Sequence, residues 1–155
     1  MLVFRICCFA AGAGLAWFFF FRLPRRLSGK WLLLVLFGAT YAMPLLFMLV
    51  CTGGLLALQH LGMTAGPEFH DEIAAALAVF AVPSGTALGA NLFRLAAVQL
   101  ENFHRTYNAH NLHRNPVHFF INNRERLARL ACGLFFVGGL YMMVGALFLA
   151  PHGRL

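Results

Sequence analysis

The sequence predicts an all-α, polytopic integral membrane protein whose four transmembrane helices form an antiparallel bundle, with the second and third helices kinked. Three observations carry that prediction. Of the 155 residues, 61% are apolar and only 11% charged, against roughly 45–50% and 25% in soluble globular proteins. The apolar residues gather in four runs, each long enough to cross a hydrocarbon core of ~30 Å at ~1.5 Å per residue. The basic residues gather in the first and third connections and avoid the second. A soluble domain of this length buries only ~70% of the surface its unfolded chain exposes, so a bilayer is the solvent that suits this composition. Disordered tails, disulfide scaffolds and ordinary soluble enzymes are excluded on the same ground. The chain reads as one membrane domain, 1–155, with spans at about 1–21, 31–59, 73–100 and 124–150 and a polar inner segment over 101–123.

The first span ends in Trp17-Phe18-Phe19-Phe20-Phe21 just before Arg22. Its apolar run is too long for a secretory signal and lacks the charged start and the cleavage site of one, so it is read as a retained span. Arg5 is placed to snorkel to the interface, and Ala10, Gly12, Ala13 and Gly14 give a thin face for another helix. Arg22, Arg25, Arg26 and Lys30 then share a short connection with Pro24, Ser28 and Gly29, a turn under four positive charges. The second span begins at Trp31 and is longer than the core, so it must tilt, bend or project. Pro44 offers the bend, because proline has no N–H to give to the carbonyl of Thr40.

Residues 60–72 form a polar link with Glu68, Asp71 and Glu72 and no lysine or arginine. Its last acids suit the positive end of the following helix dipole. The third span carries the interruption Pro83-Ser84-Gly85-Thr86 and the G-x-x-x-G pair Gly85 and Gly89, a packing face for another helix. Asn91 and Arg94 fall near its far interface, where Arg94 snorkels. The helix extends to Tyr107 with Glu101 and Arg105 paired at i,i+4. A loop over 108–116 and an interfacial patch over 117–121 follow. Asn123 serves as N-cap of the fourth span and Glu125 pairs with Arg129. That span holds Gly133, Gly138, Gly139 and Gly145, and Pro151 stops it.

Lysine and arginine bias sets the orientation. Both basic connections lie inside and both termini outside, or in the intermembrane space, of a bacterial or mitochondrial inner membrane. The net charge of +7 is therefore an orientation signal, and no nucleic-acid partner is expected. Anionic membrane lipids are the expected partners of Arg22, Arg25, Arg26, Lys30, Arg105, Arg114, Arg124 and Arg126, with Phe119 and Phe120 at the headgroup level. The same residues suit docking to other membrane-protein subunits.

Chemistry-bearing constellations are sparse. His104, His110, His113 and His118 crowd the inner segment, and imidazoles are good ligands for zinc, copper or iron. Their spacing matches no established site and neither cysteine nor aspartate lies among them, so they read as surface, with no metal expected. No histidine lies within a span, which argues against a haem held between facing helices, and no cofactor is expected. Cys7, Cys8, Cys51 and Cys132 all sit in apolar stretches without a C-x-x-C pair and read as small buried hydrophobes. Apart from Glu125 in the first turn of the fourth, the spans contain no aspartate, glutamate or lysine, which argues against ion-coupled transport. Thr40 and Tyr41 beside Pro44, with Ser84 and Thr86 beside Pro83, form a polar group at similar depth near the midplane. Two broken helices meeting there would suit a transporter; the plainer use is to satisfy carbonyls that the prolines free. The function this favours is a small non-catalytic integral subunit or assembly partner of a larger inner-membrane complex of respiratory or secretion type. The alternative is a small homo-oligomeric transporter or channel with a midplane polar site.

Overall fold

A computed structural model describes residues 2–27, 29–62 and 66–149. Every regular element among them is helical: α1 (Leu2–Arg26), α2 (Gly29–His60), α3 (Pro67–Tyr107), a 3-10 turn (Ala109–Asn111), α4 (Val117–Asn122) and α5 (Arg124–Leu149). Four of these helices, α1, α2, α3 from Asp71 onward and α5, are long and apolar enough to cross a membrane. The protein is a membrane protein by that measure. Ser28, the stop expected at Pro151 and the charge on Arg154 lie outside the described residues.

The boundaries differ from those expected in ways that proline explains. α1 continues past Phe21 to Arg26, so Arg22, Arg25 and Arg26 ride on helix and not on a loop. It accommodates Pro24 by widening: Phe18–Arg22 is a π turn, closed by the Leu23 N–H donating to the Phe18 carbonyl. A wider turn gives the pyrrolidine ring room against the preceding carbonyls and suits a residue with no N–H to offer. The same device recurs before Pro44, where Gly38–Ala42 is a π turn closed by the Met43 N–H on the Gly38 carbonyl. A third π turn, Gly145–Leu149, ends α5. α3 begins at Pro67, six residues earlier than expected, and a proline in the first helical turn loses nothing by lacking an N–H. Gly62, with φ of +73°, supplies the left-handed conformation beyond the end of α2. Through Pro83, by contrast, α3 remains α-helical without a break.

α3 is the central helix. About a third of its most apolar window is buried, against 17% in α1 and α5 and 6% in α2. Its buried residues Ala75, Val79, Pro83, Ala87, Ala90 and Ala97 recur at helical spacing and are small, so neighbouring backbones come close, as membrane packing without a hydrophobic drive requires. A Cβ built on Gly12 of α1 would collide with Met143 Cε and sit 3.6 Å from the Val79 backbone; one on Gly139 would sit 2.8 Å from Thr86 Oγ1. One on Gly89 would meet the Phe135 ring at 2.8 Å, and one on Gly85 would meet Thr40 Cγ2 at 3.4 Å. The G-x-x-x-G pair is thus split between two neighbours, Gly85 against α2 and Gly89 against α5. Among the other glycines expected at interfaces, Gly14, Gly133, Gly138 and Gly145 face nothing within 4 Å. Gly138 precedes Gly139 by one residue, ~100° around the helix, which turns it off the contact face.

Contacts between α1 and α5 run in opposite chain directions: Arg5 with Leu147, Phe9 with Phe148, Gly12 with Met143 and Phe20 with Phe136. Those between α3 and α5 do the same, from Thr86 and Gly139 through Gly89 and Phe135 to Glu101 and Arg124. Arg5 Nη1 donates to the Leu147 carbonyl, in the last turn of α5, at 2.9 Å. Carbonyls in the last turn of a helix lack a backbone donor, and a cation is the strongest replacement. Cys7, expected to be buried, is exposed, while Cys8, Cys51 and Cys132 are half-buried.

α2 is packed along only half its length. Leu32 and Leu36 are buried in a cluster with Phe19, Leu23, Ala87 and Leu88, and Thr40 touches α3. Beyond the π turn, Met43–His60 has no buried residue. Leu45, Leu46, Leu49, Val50 and Leu56 are all more than half exposed.

Candidate functional site

The sequence's polar residues collect at three places, and the structure uses each differently. At the polar end of α3, Glu101 is the organising group. Its carboxylate is only 13% exposed and accepts from two arginines, Arg105 Nε at 2.9 Å one turn on and Arg124 Nη1 at the start of α5. The first pair is the one expected. The second spans 22 intervening residues and ties together the two ends of the segment 108–123. Arg124 is therefore fixed on Glu101, unlike the exposed Arg22, Arg25, Arg26, Lys30, Arg114 and Arg126. Phe119 is exposed on α4 and Phe120 half-buried. Two local expectations give way here. Asn123 stands at the N-cap position but its Nδ2 donates backwards to the Phe119 carbonyl, so its side chain caps α4 and not α5. Arg129 Nε donates to the Glu125 main-chain carbonyl at 3.3 Å, where a side-chain ion pair was expected.

The histidines do not converge. His104 is half-buried on α3, its Nδ1 enclosed without a hydrogen-bond partner, and Asn111 Oδ1 is enclosed in the same way. His110 lies in the 3-10 turn and His113 beyond it, so the two share no α-helical face. His118 Nε2 contacts Asn122 Nδ2 at 3.1 Å. Among the described residues no three His, Cys, Asp or Glu side chains gather as a metal-binding group.

Beside Pro44 and Pro83, every hydroxyl expected in the polar group except that of Tyr41 donates to its own helix. Thr40 Oγ1 bonds the Leu36 carbonyl at 2.7 Å, Ser84 Oγ the Phe80 carbonyl at 2.6 Å and Thr86 Oγ1 the Val82 carbonyl at 2.8 Å. Asn91 Nδ2 repeats the pattern on Ala87 at 2.8 Å. These acceptors are not the carbonyls that the prolines free, which would be those of Thr40 and Val79 four residues upstream. The hydroxyls instead take a second bond on carbonyls one turn back, a common way for a membrane helix to hide a polar side chain. Tyr41 leaves the group: it is more than half exposed and stacked on Phe37 at 4.7 Å. Ser84→Ala and Thr86→Ala should each cost under about 1 kcal/mol in reversible unfolding from micelles, the range for single hydrogen bonds within membrane helices. A loss several times larger would give these hydroxyls a role beyond their own helix.

A site that the sequence reading missed lies between these levels. α1, α3 and α5 enclose a cleft of about 610 Å³, with Arg94, Arg124 and Arg129 on its walls and Phe20, Phe21 and Phe136 at its apolar side. Phe136 packs edge to face on both Phe20 and Phe21, 5.4 Å from each. Arg94 also borders a smaller hollow of about 250 Å³ toward Pro24 and the start of α2. The signal was present in the register: Glu125, Arg129, Cys132 and Phe136 follow at intervals of four, three and four, one face of a helix. Arg94 and Arg129, both exposed, line this one cleft although they stand 35 positions apart in the chain.

Compared with known protein families, with curated proteins and with solved structures, the chain matches none. Its function has to be argued from its own surfaces.

Proposed function

We propose that the protein is a non-catalytic integral subunit or assembly partner of a larger complex in a bacterial or mitochondrial inner membrane, of respiratory or secretion type. The four spans cross as an antiparallel bundle, with the arginine-rich connections on the cytoplasmic or matrix side among anionic headgroups. The observation that carries the reading is the second half of α2. Thr52, Gly53 and Gly54 are exposed, and neither glycine has an atom of another element within 4 Å of where its Cβ would stand. Two adjacent glycines cost an exposed helix interior about 1 kcal/mol each relative to alanine, and small residues are what lets a second membrane helix approach closely. Among the described residues nothing packs against them. A helix of 32 residues, ~48 Å at ~1.5 Å per residue, also reaches beyond a ~30 Å core, so part of it is available to a neighbour.

Extraction of native membranes in mild detergent is the test. A stoichiometric companion protein should copurify with the tagged chain and be lost when Gly53 and Gly54 are both changed to leucine, with the thermal unfolding of the isolated chain unchanged. A monodisperse monomer without a companion would overturn the reading, and an assembly of identical copies would move it to the transporter class.

A further inference from the structure

From the cleft between α1, α3 and α5 we infer a discrete binding site for one anionic phospholipid, the phosphate held by Arg94 and Arg129 and the upper part of an acyl chain laid on Phe20, Phe21 and Phe136. The site goes beyond the diffuse headgroup attraction of the exposed arginines. It stands whether or not α2 docks onto a companion, because none of its residues belongs to Met43–His60.

Depth supplies the first argument. Arg94 precedes Glu101 by seven residues, ~10 Å along the helix, so it lies that much further from the polar end of α3, at the level where α3 meets the body of α5. Arg94 and Arg129 are both exposed on the bundle surface, and a guanidinium at that depth in a bilayer has to find an anion or reach water. Among the described residues no carboxylate pairs with it: Glu101 is taken by Arg105 and Arg124. Glu125 lines the cleft mouth but sits one helical turn before Arg129, nearer the polar end. With three arginines and one glutamate on its walls, the cleft carries an excess of two positive charges. Arg124, held by Glu101, lines the same cleft and adds to its field without needing to move.

Shape and chemistry supply the second. A volume of about 610 Å³ falls inside the range of small-molecule sites, ~300–1,000 Å³. The aromatic part of its lining is preassembled, since Phe136 packs edge to face on both Phe20 and Phe21. A cationic edge beside an apolar floor fits an amphiphile better than a free anion. Arginine is the residue that grips a phosphate through two parallel N–H donors. In a membrane, the amphiphile that offers a phosphate at this depth is a phospholipid, and a net negative headgroup answers the two excess charges.

The test uses the purified chain in a neutral detergent, titrated separately with phosphatidylglycerol, phosphatidylcholine and inorganic phosphate, with bound lipid read by native mass spectrometry and protection read by thermal unfolding. Phosphatidylglycerol should bind as one copy, at least ten-fold more tightly than phosphatidylcholine, and inorganic phosphate should protect little at equal concentration. Arg94→Gln should weaken phosphatidylglycerol about ten-fold, while Arg94→Lys keeps a charge there and loses less. Should Arg94→Gln fail to fold, Arg129→Gln carries the same test. Equal binding of the two lipids, unaltered phosphatidylglycerol binding in a folded glutamine variant, or equal protection by inorganic phosphate would each overturn the assignment.

Discussion

Replacing Gly139 with leucine should remove most folded protein, while leucine at Gly138 should leave stability within about 0.5 kcal/mol, the usual range for surface substitutions. The contrast rests on one step of helical rotation. Gly139 is buried, and a Cβ there would lie 2.8 Å from Thr86 Oγ1, 3.2 Å from its Cγ2 and 3.3 Å from its Cβ. Thr86 cannot swing aside cheaply, because Oγ1 is held on the Val82 carbonyl and β-branched side chains are stiff about χ1. Overpacking a tight contact typically costs about 1–3 kcal/mol. Leucine adds three carbons beyond Cβ against the central helix and should fall at or above the upper end. Gly138 faces open surroundings. Unfolding of both variants in mixed micelles, followed by circular dichroism, decides the matter, and equal stabilities would show that α3 and α5 do not meet at this face.

The second large effect is expected at Glu101. Glu101→Gln keeps the shape and removes the charge that two arginines share, leaving Arg105 and Arg124 facing one another. Hydrogen bonds to charged groups are worth roughly 1.5–3 kcal/mol. Breaking a fully buried ion pair costs more, about 3–5 kcal/mol, but Arg105 is 60% exposed and Arg124 34%, so solvent screens part of the loss. A loss of about 1.5–3 kcal/mol is expected, with faster proteolysis within 108–123, whose two ends that carboxylate ties. Changing Arg124 to glutamine as well should restore part of the stability, since it removes the stranded partner. Unchanged proteolysis in the single variant would mean that other contacts hold the segment closed.

What the sequence showed well was whatever depends on hydropathy along one helix: the four long apolar helices, the end of α3 at Tyr107 and the Glu101 to Arg105 pair. Less legible was whatever depends on rotation about the helix axis. Gly138 and Gly139 look alike in a list of small residues, yet only one touches a neighbour. Arg124 and Glu101 stand 23 positions apart, and no local spacing joins them. Asn123 carries the right side chain for an N-cap, but the short helix before it offers a nearer carbonyl. Arg94 and Arg129 stand 35 positions apart, so no local spacing shows that they line one cleft. The hydroxyls beside the prolines do not reach the carbonyls those prolines free; each bonds a carbonyl one turn back on its own helix.

The π turns have an effect that reaches beyond the prolines beside them. A π turn spends one more residue per turn than the α-helix around it, so the chain beyond is advanced by ~100° in phase. In α2 the turn at Gly38–Ala42 separates the half that seats Leu32 and Leu36 in the bundle from the half that carries Gly53 and Gly54. The two faces of one helix are thereby indexed independently. Selection can tune the azimuth of the outward half, one inserted residue at a time, without disturbing the seated half, and the turn acts as a clutch between folding inside the chain and fitting outside it.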